Sequence, residues 1–202
     1  MASRERTYGG STLSARKAQR RLDLVAATLD LIGEGGSAAV SVRSVCRKAG
    51  LTDRYFYESF AGRDELLVAV FNEVFAELFT QLAEVVSQVQ GTPREKARAA
   101  AMAMVLFTEQ NPSKGRLLLT EPFSEGSLIS AGLAEAPAMT RILAHDFPHE
   151  GSGAQRAMAA VATGGAIATL FATWQLGTLH VTDEQLVEFI AELLVPEQED
   201  SS

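Results

Sequence analysis

Cysteine, tryptophan and histidine are nearly absent from this chain of 202 residues: one Cys, one Trp and three His. A single thiol, Cys46, cannot close an intramolecular disulfide, so no cross-linked framework stands behind the fold. The histidines make no metal-ligand cluster. His145 and His149 are four apart, but Pro148 between them works against a shared helical face, and His180 is remote. A phosphate-cradling glycine loop and a nucleophile elbow are also missing. The common enzyme chemistries are thereby excluded, and no metal or cofactor is expected. No apolar run is long and unbroken enough to span a bilayer. The basic N-terminus lacks the apolar stretch that a secretory signal needs behind it. Strand-like alternation and internal repeats are lacking too. The expectation is a soluble, cytoplasmic protein that is not an enzyme.

What is present is a helical pattern. Hydrophobic residues make up 47% of the chain, enough for a sizeable core. Residues 1–13 are polar and read as a flexible basic arm. A first helix begins near Ser14, with Leu22, Val25, Leu29 and Ile32 on one face, and Gly35-Gly36 stops it. Ser41 is the expected N-cap of a second helix ending at Ala49-Gly50, and Thr52 that of a third ending near Phe60. Gly62 opens a fourth, long helix, apolar from Leu66 to Val89. Thr92-Pro93-Arg94-Glu95 starts a fifth, which runs to about Gln110. Asn111-Pro112 and Glu121-Pro122 bracket a short sixth. Leu128 to Asp146 forms a seventh, which Pro137 is expected to kink or split. Ser152 and Thr182 cap an eighth and a ninth. The tail 197–202 is polar and expected to be flexible. The fold class is all-α, with about nine helices.

Charge is unevenly spread. The net charge is −7, yet residues 1–66 hold eleven basic residues against eight acidic ones, and the remainder holds seven against seventeen. A basic end beside an acidic body suits a protein that meets phosphates with one end only.

The stretch Ser41–Leu67 has the layout of a helix-turn-helix, two short helices and a tight turn. Cys46 is the small residue where the helices cross, and Gly50 gives the turn its left-handed backbone. Val42, Val45, Leu51 and Phe56 form the shared core with the first helix. Ser41-Val42-Arg43, Ala49-Gly50-Leu51-Thr52, Phe56-Tyr57, Phe60 and Arg63-Asp64-Glu65-Leu66-Leu67 together resemble the TetR family of transcriptional regulators. The motif covers roughly residues 22–71, and the helix count extends the likeness less specifically. Two positions depart from the family's habit: Tyr55 stands where a small residue is common, and Ser59 where histidine is. Both bear on the operator sequence.

The resemblance implies a helix-turn-helix DNA-binding domain at 14–61 and a ligand-binding and dimerisation domain at 62–196. Ser41, Tyr57 and Arg63 would hold phosphates, with Ser59 reaching less far. Thr52, Arg54 and Tyr55 are candidates for base edges. Arg43 suits either task, and Asp53 either accepts from cytosine or favours the helix N-terminus. Arg4, Arg6, Arg16, Lys17, Arg20 and Arg21 are candidates for further DNA contacts. A homodimer through the last two helices would read a palindromic operator on double-stranded DNA. In it, Val161, Gly165, Ala168, Ala172 and Leu176 of the eighth helix face the mate, with Leu186, Phe189, Ile190 and Leu193 of the ninth. An apolar pocket for a small lipophilic ligand would draw on Met104, Phe107, Met139, Phe171 and Trp174, with Met102 and Phe123 near them and Glu109, Gln110, Glu121, His145 and Gln175 as polar candidates. The function implied is a ligand-responsive regulator, most simply a repressor that a ligand releases from its operator through the long fourth helix. The alternative is an activator, or a ligand-independent DNA-binding protein of the same fold.

Overall fold

The computed structural model describes residues 13–147 and 151–196. Arg4 and Arg6 of the arm, His149, the side chain of His145 and the tail 197–202 lie outside this description. The described residues form α1 (Leu13–Gly35), α2 (Val42–Ala49), α3 (Asp53–Tyr57), α4 (Arg63–Gln88), α5 (Pro93–Gln110), α6 (Pro112–Leu119), α7 (Gly126–Asp146), α8 (Gly153–Gln175) and α9 (Asp183–Leu194). Short 3-10 turns sit at Ser37–Ala39 and Glu121–Phe123.

Local chemistry sets most helix ends. Ser41, Thr92, Ser152 and Thr182 each accept a bond from the backbone three residues on. In each case the residue there (Ser44, Glu95, Gln155, Gln185) reaches back to the cap's own N–H, which satisfies two otherwise unpaired donors. Gly50 ends α2 with φ of 67°, a backbone state that costs any residue with a Cβ. Pro137 does not split α7, which runs through it. A single lost hydrogen bond is tolerated because α7 is held between α4 and α8.

Two clusters of buried side chains fill the molecule. The first joins Leu24 and Ile32 of α1, Val45 and Cys46 of α2, Phe56 of α3 and Leu66, Leu67, Val70 and Phe71 of α4. It continues through Leu117 of α6 to Leu128 of α7, so the reader and the body share it. The second lies around α5 and α9, with Ala101, Val105, Phe171, Leu186 and Ile190. Leu22, expected on the core face of α1, is instead 55% exposed. The buried stripe runs through Leu24, Ala27, Thr28, Leu31 and Ile32, rotated by about a third of a turn from the expected one at 3.6 residues per turn, with Val25 and Leu29 at its edge.

Two helices have the length and hydropathy of a membrane span, α4 and α8, which corrects the sequence expectation on that point. Composition alone does not make them spans. α4 carries ion pairs from Glu73 to Arg21 and from Glu77 to Lys114 and packs against α1, α5, α6 and α7, as a core helix of a bundle does.

α3 has only five residues, and one of them, Phe56, is fully buried. Phe56→Ala is expected to destabilise the protein by about 3–5 kcal/mol, read by denaturant unfolding. Tyr57→Phe, one position on and exposed, is expected to stay within about 0.5 kcal/mol. Equal effects from the two would contradict the packing described.

Candidate nucleic-acid interface and ligand cavity

The α2–α3 pair is built from the inside outward. Val45, Cys46 and Phe56 fix it on α1 and α4, and Leu51 N–H donates to the Cys46 carbonyl across the turn. Burial first, then the Asp53 carboxylate, pushes the Cys46 thiol up from its ordinary value. The thiol is therefore a packing group, not a nucleophile.

With Phe56 turned inward, α3 turns Thr52, Asp53, Arg54, Tyr57 and Glu58 outward. The Arg54 side chain is 86% exposed and lies 3.6 Å from Glu58. Tyr57 is exposed, with its ring edge-on to Phe56. Arg43 and Ser41 are exposed at the start of α2, although the Ser41 hydroxyl already serves the cap with Ser44. Ser59 is half-buried. Lys17, Arg21, Glu58 and Ser59 surround a shallow notch between α1 and the end of α3.

Tyr55 and Arg63 are placed differently from the roles expected of them. Tyr55 is half-buried, with the Arg20 guanidinium 4.4 Å from its ring centroid. Arg20 also donates to Glu58 at 3.1 Å, so it braces α3 from behind and is not a free cation. Arg63 has its guanidinium engaged within the protein: Nε donates to the Val40 carbonyl at 2.8 Å, Nη2 to the Ser37 carbonyl at 2.9 Å and to Glu125 at 2.6 Å, and Nη1 to Asp64 at 3.1 Å. It joins reader to body where a phosphate contact was expected. Glu58 is the residue that sequence reasoning passed over. Its spacing of four from Arg54 was a usable signal, since such pairs meet on one helix face.

In the body, α4 to α9 line a cavity of about 550 Å³ that is partly open to solvent, with Phe123, Ile129 and Leu133 exposed at its mouth. Met104, Met139, Phe171 and Phe123 line it. Phe75 and Phe79, stacked 4.3 Å apart on α4, add a wall. Among the described residues, no lining side chain is charged or carries a nitrogen or oxygen. Phe107 does not line the cavity, because its ring points into the reader-side cluster beneath Lys114. Trp174 also faces elsewhere. With Glu109, Arg116, Glu121 and Gln175 it borders a second, polar cavity, which meets the apolar one at Phe123. Three of the polar candidates of the sequence, Glu109, Glu121 and Gln175, thus lie outside the apolar chamber.

α8 presents an exposed stripe of Met158, Val161, Ala162, Gly165, Ala166, Thr169 and Leu176. Ala172, expected on this face, is buried, and Ala168 lines the cavity. On α9, Leu186 and Ile190 are buried within the chain and Phe189 is exposed. The sequence spacing located the small face, and packing against α7 and α6 rotated it.

Residues 24–70 match the family model for bacterial regulatory proteins of the tetR family. The chain is 33% identical over 89 residues to the HTH-type transcriptional regulator BetI of Brucella anthropi, a match covering 44% of this chain and 44% of that protein. The chain thus spans less than half the length of the curated relatives it matches. Among solved structures it resembles the transcriptional regulator FadR of Bacillus subtilis, crystallised with stearoyl-CoA, with a TM-score of 0.68, 17% identity and coverage of 87% of this chain and 97% of that one. It also resembles AibR, crystallised with isovaleryl coenzyme A and operator DNA, with a TM-score of 0.62, 18% identity and coverage of 88% and 98%.

Two outcomes follow from the geometry. Arg54→Ala is expected to relax preference at one base position, by about 1–3 kcal/mol, while Tyr57→Phe weakens all duplexes alike; binding to a randomised duplex library separates the two patterns. The second outcome concerns Glu121, only 5% exposed. Burial pushes its carboxyl up, but bonds from Ser37 and Arg116 outweigh burial and hold it below the usual range. Its stabilisation is complete above the unfolded carboxyl's value and is lost as pH falls through the lower folded one. Glu121→Gln is expected to flatten the loss of stability as pH falls through the carboxylate range, and an unchanged acid profile in denaturation would contradict this assignment.

Proposed function

We propose that this chain, which matches the tetR-family model over residues 24–70 and shares the helical fold of FadR, is a transcriptional repressor released from its operator by an uncharged lipophilic ligand. The observation that carries the reading is the pairing of an exposed α3 with an apolar cavity, both bounded by α4. Thr52, Arg54 and Tyr57 stand exposed on the reader, with Asp53 beside them and Arg43, Ser41 and Ser59 flanking. Phosphate contacts hold the register and Arg54 supplies base readout. The protein acts in the cytoplasm, on double-stranded DNA, as a homodimer.

Dimerisation rests on the exposed apolar stripe of α8 with Phe189 of α9. Small residues along it allow close helix approach, and a two-fold pair of readers suits a palindromic operator. The ligand class rests on the cavity lining, whose described residues supply neither a counter-charge nor a hydrogen-bonding side chain. Burying a charge there carries a large cost. Neighbours of the same fold hold acyl-CoA esters, but here the cation bordering Phe123, Arg116, is already paired with Glu121. The rest of the body is strongly acidic. A hydrocarbon chain or ring system with a neutral head fits better than a coenzyme A thioester.

Release works by differential affinity, since a ligand shifts only an equilibrium between states it binds unequally. α4 is the evident lever. Leu66, Leu67 and Val70 sit in the reader-side cluster, while Phe75, Phe79 and Leu82 line the cavity.

The test begins with a duplex selected from random sequences by the purified protein. 1-Dodecanol is expected to raise the dissociation constant for that duplex by at least about tenfold, or 1.4 kcal/mol, and dodecanoyl-CoA less. Undiminished DNA affinity in the presence of a lipophile shown to occupy the cavity would sink the release model. Val161→Glu is expected to give monomers in sedimentation and to lose binding to the palindrome but not the fold.

A further inference from the structure

A polar cluster away from the DNA-facing surface ties the reader to the body. The reader contributes the turn between α1 and α2 and the first residue of α4, Arg63. The body contributes Arg116 of α6, Glu121 of the second 3-10 turn and Glu125 just before α7. Glu121 accepts from the Ser37 backbone N–H at 2.7 Å and from Arg116 Nε at 2.7 Å. Arg63 donates to the Ser37 carbonyl at 2.9 Å and to Glu125 at 2.6 Å. Ser37 is thus gripped at its N–H by one acid of the body, and at its carbonyl by an arginine that the other acid holds. The approach is close: at Gly36, with φ of 70°, a Cβ would stand 2.4 Å from Arg116 Nη2 and 2.5 Å from Glu121 Oε1.

The same short segment walls the cavity. Pro122 and Phe123 lie between the two acids, Leu128 and Ile129 follow directly, and all four line the apolar chamber. Within residues 121–129, side chains that would touch a ligand therefore interleave with side chains that hold the reader. A molecule that displaces this wall displaces both carboxylates. Their bonds are short and directional, so shifts of about an ångström weaken them steeply.

We propose that residues 121–129 transmit cavity occupancy to the reader, with Glu121 and Glu125 as positioning residues that set the α1–α2 turn, and through it α2 and α3, on the body. This route takes from α4 only its first residue, Arg63, and does not depend on the cavity-lining part of α4 moving. It rests on the reading of the apolar cavity as a ligand site. Ser41, the N-cap of α2, follows Ser37 by four residues, so a shift of the turn is passed directly to the DNA-reading pair.

The experiment measures hydrogen exchange over residues 37–60 in the full chain, with two ways of filling the cavity. One is the neutral dye Nile red, whose binding its own fluorescence reports. The other is Gly132→Leu, which extends a side chain from α7 towards Phe71, whose ring stands 3.7 Å from a Cβ at that position; Ala100→Leu replaces it if that variant does not fold. Each is expected to change exchange across residues 37–49 several-fold in the otherwise native chain. In the double variant Glu121→Gln/Glu125→Ala, Nile red should bind within about twofold of its native affinity and the reader should no longer respond. A response of equal size in the double variant overturns the proposal, because α4 alone would then suffice. Silence of the reader on filling of the native cavity by either means overturns it too. If Nile red does not bind but Gly132→Leu shifts the native reader and not the double variant, transmission stands and the ligand-site reading fails.

Discussion

Five residues of helix cannot stand alone in water, where helices shorter than about 12–15 residues are marginal. α3 exists because Phe56 is buried among α1, α2 and α4, with Val45 and Cys46 closing the space beside it. The DNA-facing character of Thr52, Arg54 and Tyr57 is a consequence of that burial. Once Phe56 points inward, helical geometry turns its neighbours outward. Arg20 adds a brace from α1 by covering the Tyr55 ring and holding Glu58. The reader is thus a rigid face supported from behind, which is what register on a duplex requires.

That reader is not an independent globule attached by a linker. Its core continues through Leu66, Leu67 and Val70 into α4 and reaches Leu117 and Leu128 of the body. At the rim of this core, Arg63, Glu121 and Glu125 add directional bonds to non-directional packing. Apolar contact holds the two parts together over a range of angles, whereas hydrogen bonds to the Ser37 backbone select one angle. A regulator needs both, since the reader must stay folded while its orientation changes.

The cavity and the surface divide the work of chemistry. Polar candidates such as Glu109 and Gln175 lie in the separate polar cavity, and the described side chains that line the chamber beside it are apolar. Cations in the body are largely spent on internal pairs, such as Lys114 with Glu77, Arg116 with Glu121 and Arg98 with Glu188. An acidic exterior keeps the body away from phosphates and leaves approach to DNA to the basic end.

Nearly every helix boundary was legible in the amino-acid sequence, because caps are local: Thr92 with Glu95, Ser152 with Gln155 and Thr182 with Gln185 each act across three residues. The family likeness was legible for the same reason, in motifs that are continuous in the chain. Face assignments were less so. Leu22 and Ala172 sit at plausible apolar spacings, yet the neighbouring helix decides which way each stripe turns, and a small rotation moves a residue from core to solvent. Phe107 was assigned to a cavity it does not touch because an aromatic ring suits a core and a pocket equally. Only tertiary structure could decide the grip of Glu121 on Ser37, 84 residues apart, or turn Arg63 from a DNA contact into a strut. Sequence determined what each segment becomes, since backbone hydrogen bonding is local; the packed chain decided which segments meet, since a side chain's partner is set by distance in space.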